Sequence, residues 1–414
     1  MPRRTFVANR RVFLRKSALG LVAAGIVPRN VLGQGATPPS ETVTAGLIGC
    51  GGQGGEDLRS YITEAGGEFR LLARCDVKFA DVADNRLVYS DFRRLLERKD
   101  IDVISVATHP GWHALISIAA MEAGKDVLCE KPMTRFIAEG RAVAEAERRF
   151  ARVFQLGTAG RLKHARGPRE ILIHKIMASG LLKSCKAVHI KRAGLKVRQW
   201  SGMVQYPEPA PPPRSLDWNL YCGPAPLRPF NRHRLGGSHR GYWDYEGGGL
   251  ADMGQHHFDP IQWLYAKDQT SPVEVEASAP PAHPECCGMW GWVELKYADG
   301  LTLVMDSGEW GPAYDRLAPR EVSLDDLPAE ERAKIAAMPD PEPPVSFVEA
   351  VKTRRKSANH AEASHRSATI LHLANIAIRT GRKIHYDPVN EQIIGDEEAN
   401  RLVDQPMRAP WQLV

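Results

Sequence analysis

Val43-Thr44-Ala45-Gly46-Leu47-Ile48-Gly49-Cys50-Gly51-Gly52-Gln53-Gly54 decides the fold. The apolar run from Val43 to Ile48 reads as a strand, and a Gly-x-Gly-x-x-Gly pattern follows it directly. The first glycine permits a tight turn, the second lets backbone approach a pyrophosphate, and the third lets the next helix pack on the strand. The N-terminus of that helix then faces the phosphates. A second strand, Phe69 to Cys75, ends in Asp76, where a carboxylate accepts ribose hydroxyls. A 2′-phosphate would be repelled there, which favours NAD, although neighbouring Lys78 leaves room for NADP. Gly49, Gly51, Gly52, Gln53, Gly54 and Asp76 are thus candidate cofactor ligands.

The pattern continues outward. Asp91 reads as the cap of a helix from Phe92 to Arg98, and Val103 to Ala107 as a β-branched strand. Thr108-His109-Pro110-Gly111-Trp112-His113 forms the next loop, and a helix to Gly124, a strand from Asp126 to Cys129, a helix from about Arg135 to Phe150 and a strand from Val153 to Leu156 follow. Strands alternating with helices predict a doubly wound parallel sheet. In such sheets ligands sit beyond the carboxyl ends of the strands. Glu130-Lys131-Pro132 stands there, and the proline-restricted turn aims Lys131 into the crevice. Thr108, His109 and His113 are placed to contact a nicotinamide ribose, with helix capping an equal role for His113.

Residues 161–390 change character. Strands around Ala187–Ala193, Val273–Ala277, Trp290–Tyr297 and Leu301–Asp306 alternate or are β-branched, and long loops separate them. This reads as an α+β domain with a large, mostly antiparallel sheet. Its open face is a natural interface for a homodimer or homotetramer. Residues 319–345 are acidic and Pro-rich and read as a surface loop. In Trp243-Asp244-Tyr245-Glu246-Gly247-Gly248-Gly249-Leu250-Ala251-Asp252-Met253-Gly254-Gln255-His256-His257-Phe258-Asp259, a helix begins near Leu250. Asp252, His256 and Asp259 share one helical face. A carboxylate beside an imidazole fixes its tautomer, and such a pair can take a proton from a carbinol while hydride leaves the same carbon. Equally, it can be a satisfied buried polar pair. Arg161, Arg192, Trp200, Tyr242, Trp243 and Asp259 are candidate sugar contacts, since aromatics stack on pyranose faces and polar groups bond hydroxyls. No metal-ligand spacing appears, and no metal site is expected.

Taken together, Gly49-x-Gly51-x-x-Gly54, Asp76, Thr108 to His113, Gly124-Lys125-Asp126-Val127 and Glu130-Lys131-Pro132 resemble the Gfo/Idh/MocA oxidoreductase family over residues 43 to 390. The resemblance implies a Rossmann domain followed by an α+β domain, with Lys131 beside nicotinamide and substrate. It aligns Asp252 and His256 with the family's Asp and His, the His as acid/base. One departure stands out. Only 14 residues separate Asp76 from Asp91, where relatives carry a further helix, so the adenosine end is expected to be more open. The implied activity is hydride transfer between a sugar, glycoside or polyol carbinol and a tightly held nicotinamide. The alternative is an NAD-dependent glycoside hydrolase or lyase working through a transient keto sugar.

The chain's 414 residues suit two domains. Its formal charge of +6 is misleading, because residues 1–35 carry seven arginines and lysines and no acid. The remainder is nearly neutral, which removes the charge argument for nucleic acid or membrane partners. Arg10-Arg11 followed by Phe13-Leu14, an apolar run from Ala18 to Val27 and small residues near Gly33 resemble a twin-arginine signal. The expected layout is a signal over 1–35, a linker over 36–42, a dinucleotide domain over 43–160, a substrate and oligomerisation domain over 161–390, and a tail over 391–414 packing on the body. A periplasmic or otherwise exported protein would fold around its cofactor before export. The seven cysteines show no disulfide framework.

Overall fold

The computed structural model describes residues 42–56, 69–158, 160–182, 186–192, 205–206 and 208–413. The expected signal, most of the expected linker, Cys185 and Trp200 lie outside the described residues.

Six strands form the first sheet: β1 (Val43–Ile48), β2 (Phe69–Cys75), β3 (Val88–Tyr89), β4 (Val103–Val106), β5 (Asp126–Cys129) and β6 (Phe154–Leu156). They are all parallel, in the order 3-2-1-4-5-6. Every residue of β4 and β5 is buried, as a parallel sheet covered on both faces requires. The strand order reverses between β1 and β4, which opens a crevice at their carboxyl ends.

The second sheet joins β7 (Val188–Arg192), β8 (Glu274–Ser278), β9 (Trp292–Lys296), β10 (Thr302–Asp306), β11 (Ile384–Asp387) and β12 (Gln392–Ile393) in the order 12-11-8-9-10-7. Its pairs are antiparallel except β10 with β7. The two-layer arrangement matches the fold class read from the sequence. The β11–β12 hairpin carries this sheet across residue 390, so no boundary falls there. Residues 319–345 are not a simple surface loop. They hold a helix over Ala329–Ala337 whose Ile335 is fully buried, and Val322 and Leu327 are buried as well.

Five helices position the site: α1 (His113–Glu122), α2 (Ile137–Phe150), α3 (Trp218–Cys222), α4 (Gly248–Leu264) and α5 (Ala361–Thr380). The long, almost wholly buried α5 packs on both α2 and α4, and so welds the domains. Its contact with α4 is close: a Cβ on Gly254 would stand 2.6 Å from the Leu371 side chain. Among the described residues, no helix is long and apolar enough to cross a membrane.

Candidate functional site

The crevice beyond β1 and β4 is a cleft of about 330 Å³. Gly49 turns with φ +90°, and a Cβ there would strike the Ala107 carbonyl at 2.5 Å. Residues 52–56 are helical, and a Cβ on Gly54 would meet the Gly49 carbonyl at 2.6 Å. A Cβ on Gly51 or Gly52 would meet nothing, because both face the open cleft. Gln53 and Asp76 line it as well. Asp76 accepts from the Cys50 and Lys78 backbone amides at 2.8 and 2.9 Å, fixing its carboxylate against the glycine loop. Lone pairs remain for ribose hydroxyls. A dinucleotide fits these residues: bare backbone toward the phosphates, a carboxylate toward the ribose. We expect Gly51→Val to fold and to melt like wild-type protein stripped of nucleotide, yet to retain no nucleotide by mass analysis, since the added side chain meets only the space the phosphates need.

The adenosine end is covered, which corrects the expectation of a more open pocket. In place of the missing helix, a 3₁₀ turn (Val77–Phe79) bonds the second domain: Ala80 N–H to the Ser215 carbonyl at 3.0 Å and Asp217 N–H to the Val77 carbonyl at 2.9 Å. Helix α3 then lies over the cleft, with Leu220 and Tyr221 lining it. Thr108 and His109 line the cleft too. His109 Nε2 lies 2.8 Å from the Tyr221 carbonyl, and burial pushes its imidazole down to about 3. His113 does not line the cleft. Its ring is buried, with Nδ1 2.9 Å from the Pro132 carbonyl and Nε2 3.0 Å from the Thr108 carbonyl, so it ties the two cleft loops together.

Lys131 enters the cleft from the end of β5, across a cis Lys131–Pro132 bond. Its Nζ donates to Asp252 Oδ1 at 2.7 Å and to the Asp252 carbonyl at 2.8 Å. Glu130, also on the cleft, accepts from the Lys131 amide at 3.2 Å. Gln255 locks the turn to α4 by accepting from Met133 N–H at 2.9 Å. Burial opposes ionisation of Asp252, but the charges and hydrogen bonds of Lys131 and Arg240 outweigh it and hold the carboxyl below its usual range.

The orientation of His256 by Asp252 is not what the structure places there. Asp252 Oδ1 is committed to Lys131 and to Arg240 Nε at 2.8 Å. His256, one turn on, faces a neighbouring groove of about 220 Å³ with His189 and Lys191. Burial, then the Lys131 charge, lowers its imidazole to about 4, opposed by Asp252. Arg240, His239 and Glu246 line the cleft and went unread in the sequence. His239 Nε2 stands 3.2 Å from the buried Glu246 carboxylate, which is 3.9 Å from Arg240 Nε. The available signals were the Gly236-Gly237 pair and the carboxylate just before three glycines.

The sugar-contact candidates fare otherwise. Arg161 is buried, its guanidinium 2.8 Å from Asp259 Oδ1 and 2.5 Å from Asp268 Oδ2, and Asp259 is fully buried as well. Both are structural because their hydrogen-bonding capacity is spent inside the protein. Tyr242 is buried with its hydroxyl 2.7 Å from His233 Nδ1. Trp243 donates to the His283 carbonyl at 3.0 Å and stacks under Arg379, away from the cleft. Arg192 donates to the Tyr314 carbonyl. Alternation along β7 puts it on the opposite sheet face from His189 and Lys191, and so from His256.

Residues 43–158 match the model of the NAD-binding Rossmann fold of the Gfo/Idh/MocA oxidoreductases, and residues 169–413 match the model of that family's C-terminal alpha/beta domain. Inositol 2-dehydrogenase of Salmonella typhimurium is 32% identical over 127 residues, which is 28% of this chain and 37% of that protein. A glycosyl hydrolase family 109 protein of Solibacter usitatus is 30% identical over 153 residues, 32% of this chain and 34% of that protein. The chain thus spans little more than a third of the length of these curated relatives. The WlbA dehydrogenase of Bordetella pertussis, crystallised with NADH and UDP-GlcNAcA, shares the fold with a TM-score of 0.53 at 15% identity, over 84% of this chain and 99% of that one. With both domain models matched on a sheet order and glycine loop of the kind just described, the chain belongs to the Gfo/Idh/MocA oxidoreductase family.

Proposed function

We propose that the protein is an exported NAD-dependent oxidoreductase acting on a carbinol of a sugar, glycoside or polyol. The observation that carries this reading is Lys131, held by Asp252 at the edge of the dinucleotide cleft. Asp252 takes two of the three ammonium donors, which leaves one for the reacting oxygen. Lys131 stabilises developing negative charge on that oxygen. His256, which faces the adjoining groove and is neutral near pH 7, receives the hydroxyl proton of a substrate that lies across that groove and the cleft edge. A nicotinamide dinucleotide held by the Gly49–Gly54 loop and Asp76 would supply the hydride acceptor for the same carbon. The names of the relatives, inositol 2-dehydrogenase and levoglucosan dehydrogenase, support a polyol or sugar substrate.

Export rests on the succession of basic, apolar and small-residue stretches in the sequence of residues 1–35. Fusing them to a reporter and following it in cells lacking the twin-arginine translocase tests it. Self-association through the outer face of the second sheet is part of the same reading, and light scattering of the purified protein checks it. The similarity to glycosyl hydrolase family 109 favours one second reading, elimination through a keto sugar. Release of aglycone with no net NADH would establish that reading instead.

The decisive experiment identifies, by mass, the nucleotide released from denatured protein, then follows absorbance at 340 nm with a sugar and polyol panel. Protein that neither carries nor binds NAD or NADP would refute both readings. The pH dependence follows from His256. Oxidation needs its imidazole neutral, and it protonates only near pH 4. We therefore expect kcat/KM for oxidation to show no acid limb between pH 7 and 5 and to fall below about 4, whereas an unperturbed histidine would give a limb near 6.5.

A further inference from the structure

Helix α3 is five residues long, too short to hold itself in place. What holds it over the cleft is a segment distant in sequence. Arg408 gathers the end of α3 with one guanidinium: Nη1 donates to Asn219 Oδ1 at 2.7 Å, Nη2 to the Asn219 carbonyl at 2.9 Å, and Nε to the Gly223 and Ala225 carbonyls at 3.0 and 3.1 Å. The Arg408 amide donates to the Pro224 carbonyl at 2.9 Å. The Gly223, Pro224 and Ala225 carbonyls follow directly on the last residue of α3, and a cation is a favoured partner at the C-terminal end of a helix.

Three residues on, Trp411 packs edge-on against Trp112, ring centroids 4.6 Å apart, and lies beside Phe92 at 6.4 Å, with the Arg93 guanidinium 5.3 Å from its ring. Trp112 and Phe92 are themselves walls of the cleft. Trp112 Nε1 donates to the Leu220 carbonyl at 3.0 Å. Gly223 is bare because a Cβ there would stand 2.3 Å from the Trp112 ring. The wall, the roof and residues 408–413 are therefore one interlocked layer over the adenosine end, fastened on its other side by the Ala80–Ser215 and Asp217–Val77 bonds.

We infer that residues 408–413 belong to the dinucleotide site as a clasp, with Arg408 and Trp411 as positioning residues that keep the roof closed and hold the nucleotide captive. The inference rests on the reading of the cleft as a dinucleotide site. It extends that reading from which residues touch the cofactor to which residues prevent its loss. A nucleotide under a roof pinned at both edges leaves only when one edge opens, and the Arg408 edge, built from side-chain contacts, is the one a single substitution can open.

The test measures nucleotide exchange. Wild-type protein is purified, its bound nucleotide identified by mass, and the bound molecule chased with excess isotope-labelled NAD. Arg408→Ala and Trp411→Ala are treated in the same way, with thermal melts run in parallel. Loss of a charged hydrogen-bond fork predicts exchange faster by about tenfold or more. Exchange at the wild-type rate in variants that still melt cooperatively overturns the clasp. If both variants fail to fold, Arg408→Lys is scored instead. It keeps the charge but not the planar fork, and should exchange faster than wild type; an unchanged rate there overturns the proposal too. Wild-type protein that carries and binds no nucleotide overturns the cofactor reading, and the clasp with it.

Discussion

Lys131→Met should lower kcat/KM for carbinol oxidation by roughly a thousandfold while the protein stays folded and keeps its nucleotide. The size follows from position. The ammonium is only 10% exposed, two of its donors are spent on Asp252, and the third is left at the cleft edge for a developing alkoxide. The survival of the fold follows from Arg240. Removing one member of a buried ion pair normally strands its partner. Here Asp252 Oδ1 also accepts from Arg240 at 2.8 Å, so its charge remains matched without Lys131. Lys131→Arg should not rescue, because a planar fork cannot place one donor where the compact ammonium does while keeping both bonds to Asp252. Released nucleotide measured by mass, together with initial rates at 340 nm, separates the cases. Full activity in Lys131→Met would remove this residue from the chemistry. Lost activity together with lost nucleotide would make it a binding residue.

The parts of this site that sequence reveals are those fixed by local sterics. Gly49 and Gly54 each answer a backbone requirement that only glycine meets, Gly51 leaves the cleft open for phosphates, and the strand before them is read from its own six residues. Lys131 was legible for the same reason, being carried by a turn at the end of a short buried strand. What escaped is what long-range packing brings in. Arg240 reaches Asp252 from a 3₁₀ turn, and Glu246 faces Arg240 from a loop, with no periodicity to announce either. Helix α3 is too short for a periodic signal, yet it closes the pocket that the missing β2–β3 helix was expected to leave open. The Asp252–His256–Asp259 reading shows the limit most clearly. Helical spacing does put all three on one face, but Asp252 and Asp259 are about 10 Å apart along the axis. At one end that face meets Lys131 and the cleft, and at the other it meets Arg161 in the protein interior. The spacing gives the face. The neighbours decide what each residue on it does.

That division yields the second large effect. Asp259→Ala should destabilise the protein by roughly 3–5 kcal/mol while leaving the turnover of each folded molecule close to wild type. Asp259 is fully buried and anchors a network at the seam of the two domains. Its carboxylate is 2.8 Å from the Arg161 guanidinium and accepts from Thr158 Oγ1 at 3.0 Å and Asn359 Nδ2 at 2.5 Å. These partners come from just after β6, from the short helix Gly160–His164, and from just before α5. Truncation leaves Arg161, 2% exposed, with Asp268 as its remaining carboxylate, and strips the acceptor from two buried donors. The cost is that of an underpaired buried cation and two unmet hydrogen bonds, which is why it exceeds that of an ordinary surface ion pair. Asp259→Asn keeps the shape and one acceptor oxygen and should lose less. The joint replacement Arg161→Met with Asp259→Leu should recover part of the loss, because removing both charges abolishes the need for pairing. Urea denaturation of the four proteins gives the stabilities, and rates normalised to folded, nucleotide-loaded protein give the activity. Unchanged stability with a large fall in normalised rate would put Asp259 at the substrate after all, and would mean that the seam opens during turnover to expose it.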